Sequence, residues 1–490
     1  MISVEDIKRL IDYDNQSEKK KRARIGQRYY NADHDIMRYR MFYYNADGKL
    51  VEDTTRSNIK ISHPFFTELS DQLAAYVLSF KDNPIRAVET AEGLQDQLDE
   101  YFDDDFWTEI SEVLTGAYTK GFDYIYAYKN EDDRLAFQHA DSIGVIEVME
   151  RDTDENCEYM IYWYTERVGH EQKEIKRIQV WSDKDTTYYI QEDSGEIKLD
   201  SNEQLNPRPH VVFTEKSGTK KGYAFGYIPF WRLDLNKKQV SGLKPIKGLI
   251  DDYDLHACSL SNNLKDFDTP LHVVRGFEGD NLDELQTNLK TKKIIGTDAE
   301  GGVEVRTVDI PYQARKEKLD LDEKNIYRFG MGLNMIGLKD TSATTNIAIK
   351  AAYSLLDLKA NKLERRLKRL LKELLKVVLE EINGTNGTGY QIKDVYFDFV
   401  REVMTNETEN MQNKKTRAEM QQVQINTLLD LAATLDEETV VREICTVLDI
   451  DYDAIKDKLP EQAEMQIQGA ESTLKGVEPE GDPATFEGSE

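Results

Sequence analysis

Cysteine is scarce: only Cys157, Cys258 and Cys445 occur in 490 residues. They lie far apart and show no metal-ligand spacing such as C-x-x-C, so buried free thiols are expected. The seven histidines are scattered, and His63 before Pro64 reads as a helix-start residue. No run of about 18 apolar residues is present, so no spanning helix is expected, and the polar start MISVEDIKRL lacks the apolar segment of a signal peptide. A protein that stays in the cytoplasm of the cell that makes it follows as an expectation. A G-x-x-x-x-G-K-[ST] phosphate loop is also missing, which argues against an intrinsic ATP motor, as are H-E-x-x-H and G-x-S-x-G. The run Gly384 to Tyr390, G-T-N-G-T-G-Y, follows a helix rather than a strand and reads as a turn. Positive charge is in deficit too, with 64 Lys and Arg against 92 Asp and Glu and a net charge of −28. Tight, general DNA binding draws its affinity largely from phosphate neutralisation, so this balance disfavours it. A protein that lets DNA slide past without gripping it remains compatible with such a charge. With 26 Tyr the chain is rich in aromatics and long enough for several domains with real cores.

Against that acidic background stands one segment from Asn334 to Asn383. It joins a loop of Gly, Ser and Thr to a helix with no Gly or Pro before the stop signal Asn383-Gly384. Thr341, Ser342 or Thr344 could cap its start. A rod of roughly 57 Å is implied. At 100° per residue Leu356, Leu363, Leu367, Leu370, Leu371, Leu374, Val378 and Ile382 share one arc. Lys362, Arg365, Arg366, Lys368, Arg369, Lys372 and Lys376 share the opposite one, diluted only by Glu364 and Glu373. That basic face is either a solvated surface or a surface that meets an anion, whether nucleic acid or an acidic neighbouring subunit.

The rest of the chain is predominantly helical with one β-rich stretch, an α+β class. Ser3 to Tyr30 reads as helical, its cluster Lys19, Lys20, Lys21, Arg22, Arg24 and Arg28 as a solvated or intersubunit face. SNIKISHPFFTELSDQLAAYVLS places Phe65, Leu69, Leu73 and Tyr76 at helical spacing, and DEYFDDDFWTEISEVLTGAYTKG continues as helix to Gly121. From Asp123 to about Trp231 the period becomes two, as in YIYAYKN, EYMIYWYTE and KRIQVWSD, which predicts a meandering antiparallel sheet. Helix resumes at Pro245, with Ile246, Leu249, Ile250, Tyr253, Ala257, Leu260 and Leu264 on one face. A compact mixed piece follows between Asp266 and Pro311: strand LHVVRGF, helix NLDELQTNLK, strands KKIIGT and VEVRTVDI. Another helix runs from about Gln313 to Gly330, where Asp320 to Glu323 reads as a solvated or subunit-facing patch. Thr405 to Leu459 is helical, with Leu428, Leu429, Leu431, Leu435, Val440, Ile444, Val447 and Leu448 as its apolar contributors. Residues 461–490 carry eight acids against one Lys and read as a disordered tail.

This order of parts, with SNIKISHPFFTELSDQLAAYVLS, KGFDYIYAYKNEDDRLAFQHADS and above all IPFWRLDLNKKQVSGLKPIKGLIDDYDLHACSLSNNLKDF, resembles the portal proteins of tailed bacteriophages, of the siphophage type infecting Gram-positive hosts. The similarity covers roughly residues 20 to 460. It implies a portal fold with 1–240 as wing, 241–265 as first stem helix, 266–312 as clip and 313–334 as second stem helix. Residues 335–345 become the tunnel loop, 346–383 the long wing helix, 384–460 the crown and 461–490 the tail. It further implies a homo-oligomeric ring, dodecameric, at one capsid vertex of the virion. Double-stranded DNA passes through that ring without sequence specificity, and a separate terminase drives packaging. Head-completion proteins, major capsid protein and scaffolding protein are the other implied partners, with no cofactor and no membrane. The tunnel loop would present Gly337, Lys339, Asp340, Thr341, Ser342, Thr344, Thr345 and Asn346 to DNA: Lys339 and Asp340 nearly cancel, and the hydroxyls contact phosphates weakly and reversibly. The basic arc Lys362 to Lys376 would then face acidic neighbours and hold the ring together.

Two alternatives belong to other classes. Asp103, Asp104 and Asp105 with Glu109 could be imagined as a two-metal nuclease site, although consecutive Asp residues on a helix point in different directions. The long helix could serve a non-portal scaffold as a coiled-coil partner, although its apolar arc is too broad for a strict a/d seam.

Overall fold

The structure, a computed structural model, describes residues 2–54, 56–130, 133–149, 157–170, 172–192, 195–214, 220–267, 271–275, 302–306, 311–334, 346–401, 407–431, 437–448 and 452. Two compact units result, Met1–Met404 and Thr405–Glu490. The described residues form ten α-helices and several small sheets, an α+β composition. The helix NLDELQTNLK, the strand KKIIGT, residues 335–345 and the tail 461–490 lie outside the described residues.

The helical start is two helices, α1 (Val4–Gln16) and α2 (Glu18–Tyr30). Ser17 separates them because it sits in extended backbone, where its side chain accepts from the Lys20 amide and caps α2. The predicted single run from 99 to 121 also breaks, into α4 (Leu94–Tyr101) and α5 (Asp104–Lys120). There Asp103 accepts from the Phe106 amide at 2.9 Å and restarts the helix. Gly121 ends α5 as expected, at φ +98°. Its Cβ would stand 2.5 Å from the Gln239 carbonyl oxygen, so the position requires glycine twice over. Helix α3 (Phe65–Val77) buries Phe66, Leu69, Leu73 and Tyr76.

A hairpin absent from the sequence expectations, β1 (Phe42–Tyr44) with β2 (Leu50–Glu52), exposes all six of its residues. The β-rich stretch is two main sheets instead of one. Strands β4 (Phe122–Lys129) and β5 (Leu135–Ala140) pair with β14 (Phe230–Asp234), whereas β6 (Val145–Met149), β7 (Cys157–Val168), β8 (Lys173–Trp181), β9 (Asp185–Glu192) and β10 (Lys198–Leu199) form the antiparallel meander. Three short strands follow the meander: β11 (Arg208–Pro209) on β9, and the pair β12 (Val211–Thr214) with β13 (Lys220–Tyr223). The meander buries Ile146, Ile161, Ile178 and Val180 against Ile7 and Ile11 of α1. The first sheet packs one face on α5 and turns Phe122, Tyr124 and Phe230 to Val145, Met160 and Trp181 of the second.

The basic cluster of α2 departs from expectation. Lys20 is buried, donating to the carbonyl of Val145 at 2.6 Å and pairing with Asp14 at 3.0 Å. An ammonium can be buried only when its donors are satisfied, and here backbone carbonyls of the Ser142–Val145 turn do most of that. Lys19 lies 3.9 Å above the Phe122 ring, and burial pushes its pKa down to about 8.

Helices α6 (Lys247–Phe267) and α7 (Tyr312–Gly330) pack against each other. Their contacts run antiparallel: Ile246 approaches Gly330, and Lys318 bridges Asp252 and Asp322. Asp322 is thus a buried ion-pair partner and no solvated patch. Leu264, expected on the apolar face of α6, is exposed. Between these helices in sequence, β15 (Leu271–Arg275) pairs antiparallel with β16 (Gly302–Arg306).

The long helix is α8 (Asn346–Asn386), 41 residues and about 62 Å. It ignores the predicted stop at Asn383-Gly384. Asn383 stays helical and uses its side chain to hold the returning chain, accepting from the Tyr390 amide at 2.8 Å and donating to the Tyr390 carbonyl at 2.9 Å. Termination comes at Gly387, with φ +66°. The chain then turns back into β17 (Val395–Phe397), which pairs with β3 (Ile85–Ala87), so residues 384–401 pack with the first unit. In the second unit α9 (Glu407–Asp430) packs on α10 (Glu437–Leu448), burying Val440 and Cys445 and leaving Leu429, Leu431 and Leu448 exposed.

Candidate functional site: the two sides of the long helix

The leucine arc does what its spacing dictates. Leu356, Leu363, Leu367, Leu370, Leu371, Leu374, Val378 and Ile382 are all buried, joined by Leu375 and Leu379, in the largest core of the molecule. At about 1.5–3 kcal/mol for each fully buried aliphatic side chain, this arc locks α8 onto its own unit.

Of the predicted basic face, Lys362, Arg365, Arg369, Lys372 and Lys376 are exposed, and Arg366 and Lys368 are half-buried. Lys368 pairs with Glu364 at 2.8 Å and Lys376 with Glu373 at 2.7 Å. Lys362, Arg365, Arg366, Arg369 and Lys372 make no ion pair among the described residues. Four of these five line a groove of about 740 Å³ between α8 and the β14 segment, whose other wall includes Trp231, Arg232 and Leu235. Arg232 is engaged by Glu147 and by Asp234 at 2.9 Å. Asp234 and Glu373 also line the groove, but they pair with Arg232 and Lys376, so these four cations have no ion-pair partner among the described residues.

The opposite flank of α8 is closed by the segment after β17. Arg401 pairs with Glu364 and donates to Asn361 at 2.9 Å, and Lys368 lies 5.0 Å over the Phe399 ring. Neither Arg401 nor Lys359 was singled out from sequence. Lys359 donates to the carbonyl of Gly330, the last residue of α7, at 2.7 Å and lies 4.2 Å above the Tyr118 ring. Burial pulls its pKa down to about 7. The helical wheel carried the signal, since Lys359 falls beside the leucine arc rather than on the basic one.

A second feature was also missed. The extended segment 57–63 lies along α6, and its alternate amides are taken by side chains four residues apart on that helix. Ser57 donates to Asp266 at 3.2 Å, Ile59 to Asn262 at 2.6 Å, Ile61 to the Cys258 sulfur at 3.2 Å and His63 to Asp254 at 3.0 Å. Two extended residues advance about 6.6 Å and four helical residues about 6.0 Å, so the two periods nearly match. Asp254 also bonds the rings of His34 and His63, at 2.6 and 2.7 Å. Burial alone would raise its pKa; the histidine contacts outweigh that and hold the carboxyl below its usual range.

Of the predicted DNA-facing loop, Gly337, Lys339, Asp340, Thr341, Ser342, Thr344 and Thr345 lie outside the described residues, and Asn346 is the first residue of α8. The nuclease alternative finds no support in the geometry: Asp103 is a cap, and Glu109 accepts from the His139 amide at 2.6 Å. No group of three or more His, Cys, Asp or Glu suited to a metal ion occurs among the described residues. No helix among them is long and apolar enough to cross a membrane.

The model of the family described as "Phage portal protein, SPP1 Gp6-like" matches residues 10–467. The chain belongs to that portal family. It is 27% identical over 411 residues to the portal protein of Bacillus phage SPP1, covering 83% of this chain and 78% of that one. It is 21% identical over 407 residues to the portal protein of Clostridium phage phiCD119, covering 77% and 84% respectively. Portal proteins are structural, non-enzymatic phage proteins, and membership implies a capsid-associated oligomeric ring in the virion. The long helix, its leucine arc and its unpaired cations therefore belong to a subunit that has neighbours of its own kind.

Proposed function

We propose that this portal protein forms the ring-shaped channel at one capsid vertex through which double-stranded DNA is packaged and ejected. The ring is dodecameric. Residues 1–240 and 346–383 form the wing, α6 and α7 the stem, 266–312 the clip and 384–460 the crown. The observation that carries this is the family match over residues 10–467 together with the antiparallel α6–α7 pair, which has β15 and β16 between its members in sequence. A terminase docks on the clip during packaging and head-completion proteins replace it afterwards. Major capsid and scaffolding proteins surround the ring in the virion.

The loop 335–345, between α7 and α8, faces the channel. Its side chains from Lys339 to Thr345 present one ammonium, one carboxylate and several hydroxyls, a set that contacts phosphates without holding them. The basic arc of α8 lies at the boundary between subunits. Negative-stain class averages of the purified full chain test the ring: twelve-fold closed rings with an open axis are expected, and a protein that stays monomeric at high concentration in packaging buffer overturns the proposal.

A further inference from the structure

Each subunit of a closed ring presents two different surfaces to its neighbours, so charge that holds the ring must sit with opposite sign on opposite sides. The cations lie on one side of α8, in the groove that Arg365, Arg366 and Arg369 form with Trp231 and Leu235. The other side carries the carboxylates. From Glu89 to Thr119 the chain has ten Asp and Glu and no Lys or Arg.

The position of that acidic stretch follows from ring contacts. Phe80 packs at 4.8 Å on Trp107, in the first turns of α5, and at 6.1 Å on Phe399. Phe399 in turn lies under Lys368, on the flank of α8 closed by Arg401. The α4–α5 corner is therefore on the Phe399 side and the basic groove on the Trp231 side. Asp96, Asp104 and Asp105 are exposed at this corner, and none makes an ion pair with a described cation. At the corner two helix ends meet at Phe102–Asp103 and leave Asp103, Asp104 and Asp105 exposed, whereas the cations line a groove.

We infer that the acidic α4–α5 corner of one subunit seats in the basic groove between α8 and β14 of the next. This rests on the ring proposed above and adds which two surfaces meet. Exposed charges act over about a Debye length, roughly 8 Å at physiological salt, so a protein partner for the four groove cations has to be a neighbour in contact. Each exposed pair is worth little alone, about 0.2–1 kcal/mol, but several pairs recur at every interface of a closed ring.

Charge reversal tests it. The full-length double variants R365E/R369E and D104K/D105K change only exposed groups, and circular dichroism with thermal unfolding verifies that each folds. Each alone is expected to lose about tenfold in ring fraction by mass photometry at physiological salt. Mixing the two is expected to restore rings, because acidic grooves then meet basic corners and basic grooves meet acidic corners in alternation. A wild-type ring fraction from either folded variant alone, or no gain in rings from the mixture, overturns the pairing. Wild-type protein run in parallel separates the two proposals: wild-type rings with unaffected variants sink only the pairing, and no wild-type rings sink both.

Discussion

Lys359 is a cation placed where the sequence pattern calls for an apolar group. Its ammonium satisfies the terminal carbonyl of α7 and faces the Tyr118 ring, both of which favour the charged form, while burial opposes it and prevails. The folded-state pKa of about 7 lies below the ordinary 10.5. Between those values the unfolded chain binds more protons than the folded one, so this residue makes stability rise with pH across that window. Lys359→Met, close in volume, is expected to flatten that rise. Thermal unfolding of both proteins at pH 7 and pH 9 measures it, and an unchanged pH dependence in the variant would refute the assignment. Lys20 shows the other solution to the same problem. Carbonyls and Asp14 surround it, so removing its side chain leaves a buried acceptor cage unsatisfied rather than relieving a penalty.

At the scale of elements, the pairing of segment 57–63 with α6 replaces a sheet. An extended chain without a neighbouring strand still needs acceptors for its amides, and α6 supplies them at Asp254, Cys258, Asn262 and Asp266. Asn262→Ala removes one rung and is expected to cost about 1 kcal/mol. Hydrogen exchange should speed up locally at Ile59 and hardly at His63; uniform acceleration along 57–63 would mean that the rungs are not independent. The ladder also explains what the apolar wheel of α6 left out: Ile246 and Ile250 are buried as expected, but so are the carboxylate of Asp254 and the thiol of Cys258, which the extended segment covers. The hairpin β1–β2 was visible in principle through Asp47-Gly48, with Gly48 at φ +73°. Its strands are only three residues long, too short for alternation to register.

On the scale of the whole molecule, α8 joins the proposed channel to the periphery. Its first residue follows the loop 335–345 and its far end anchors the return into β17. A rod of about 62 Å with one side locked in the core has little freedom to bend. The proposed contact with DNA then rests on the loop and not on the helix. Deleting Gly337 to Ser342 is expected to leave ring assembly intact and to abolish DNA packaging in an in vitro packaging reaction. Packaging at the wild-type level by rings of that variant would remove the loop from the mechanism.

Periodicity was enough to locate α3, α7, α8 and the meander, because those patterns repeat over many residues and record which face is buried. The order of these parts, with the local sequence stretches quoted above, was enough to suggest the family. Tertiary structure alone decided what a one-dimensional pattern does not encode. It split the β-rich stretch into two sheets, since strand partners are chosen by packing across Phe122, Tyr124 and Trp181. It buried Lys20 and Asp254 and half-buried Lys359, because partners far apart in the chain satisfy them, and it buried Asp322 beside Lys318, which also reaches Asp252 on α6. It also put the basic arc of α8 and the carboxylates of α4 and α5 on different sides of one helix, a separation that depends on how Phe80, Trp107 and Phe399 pack together.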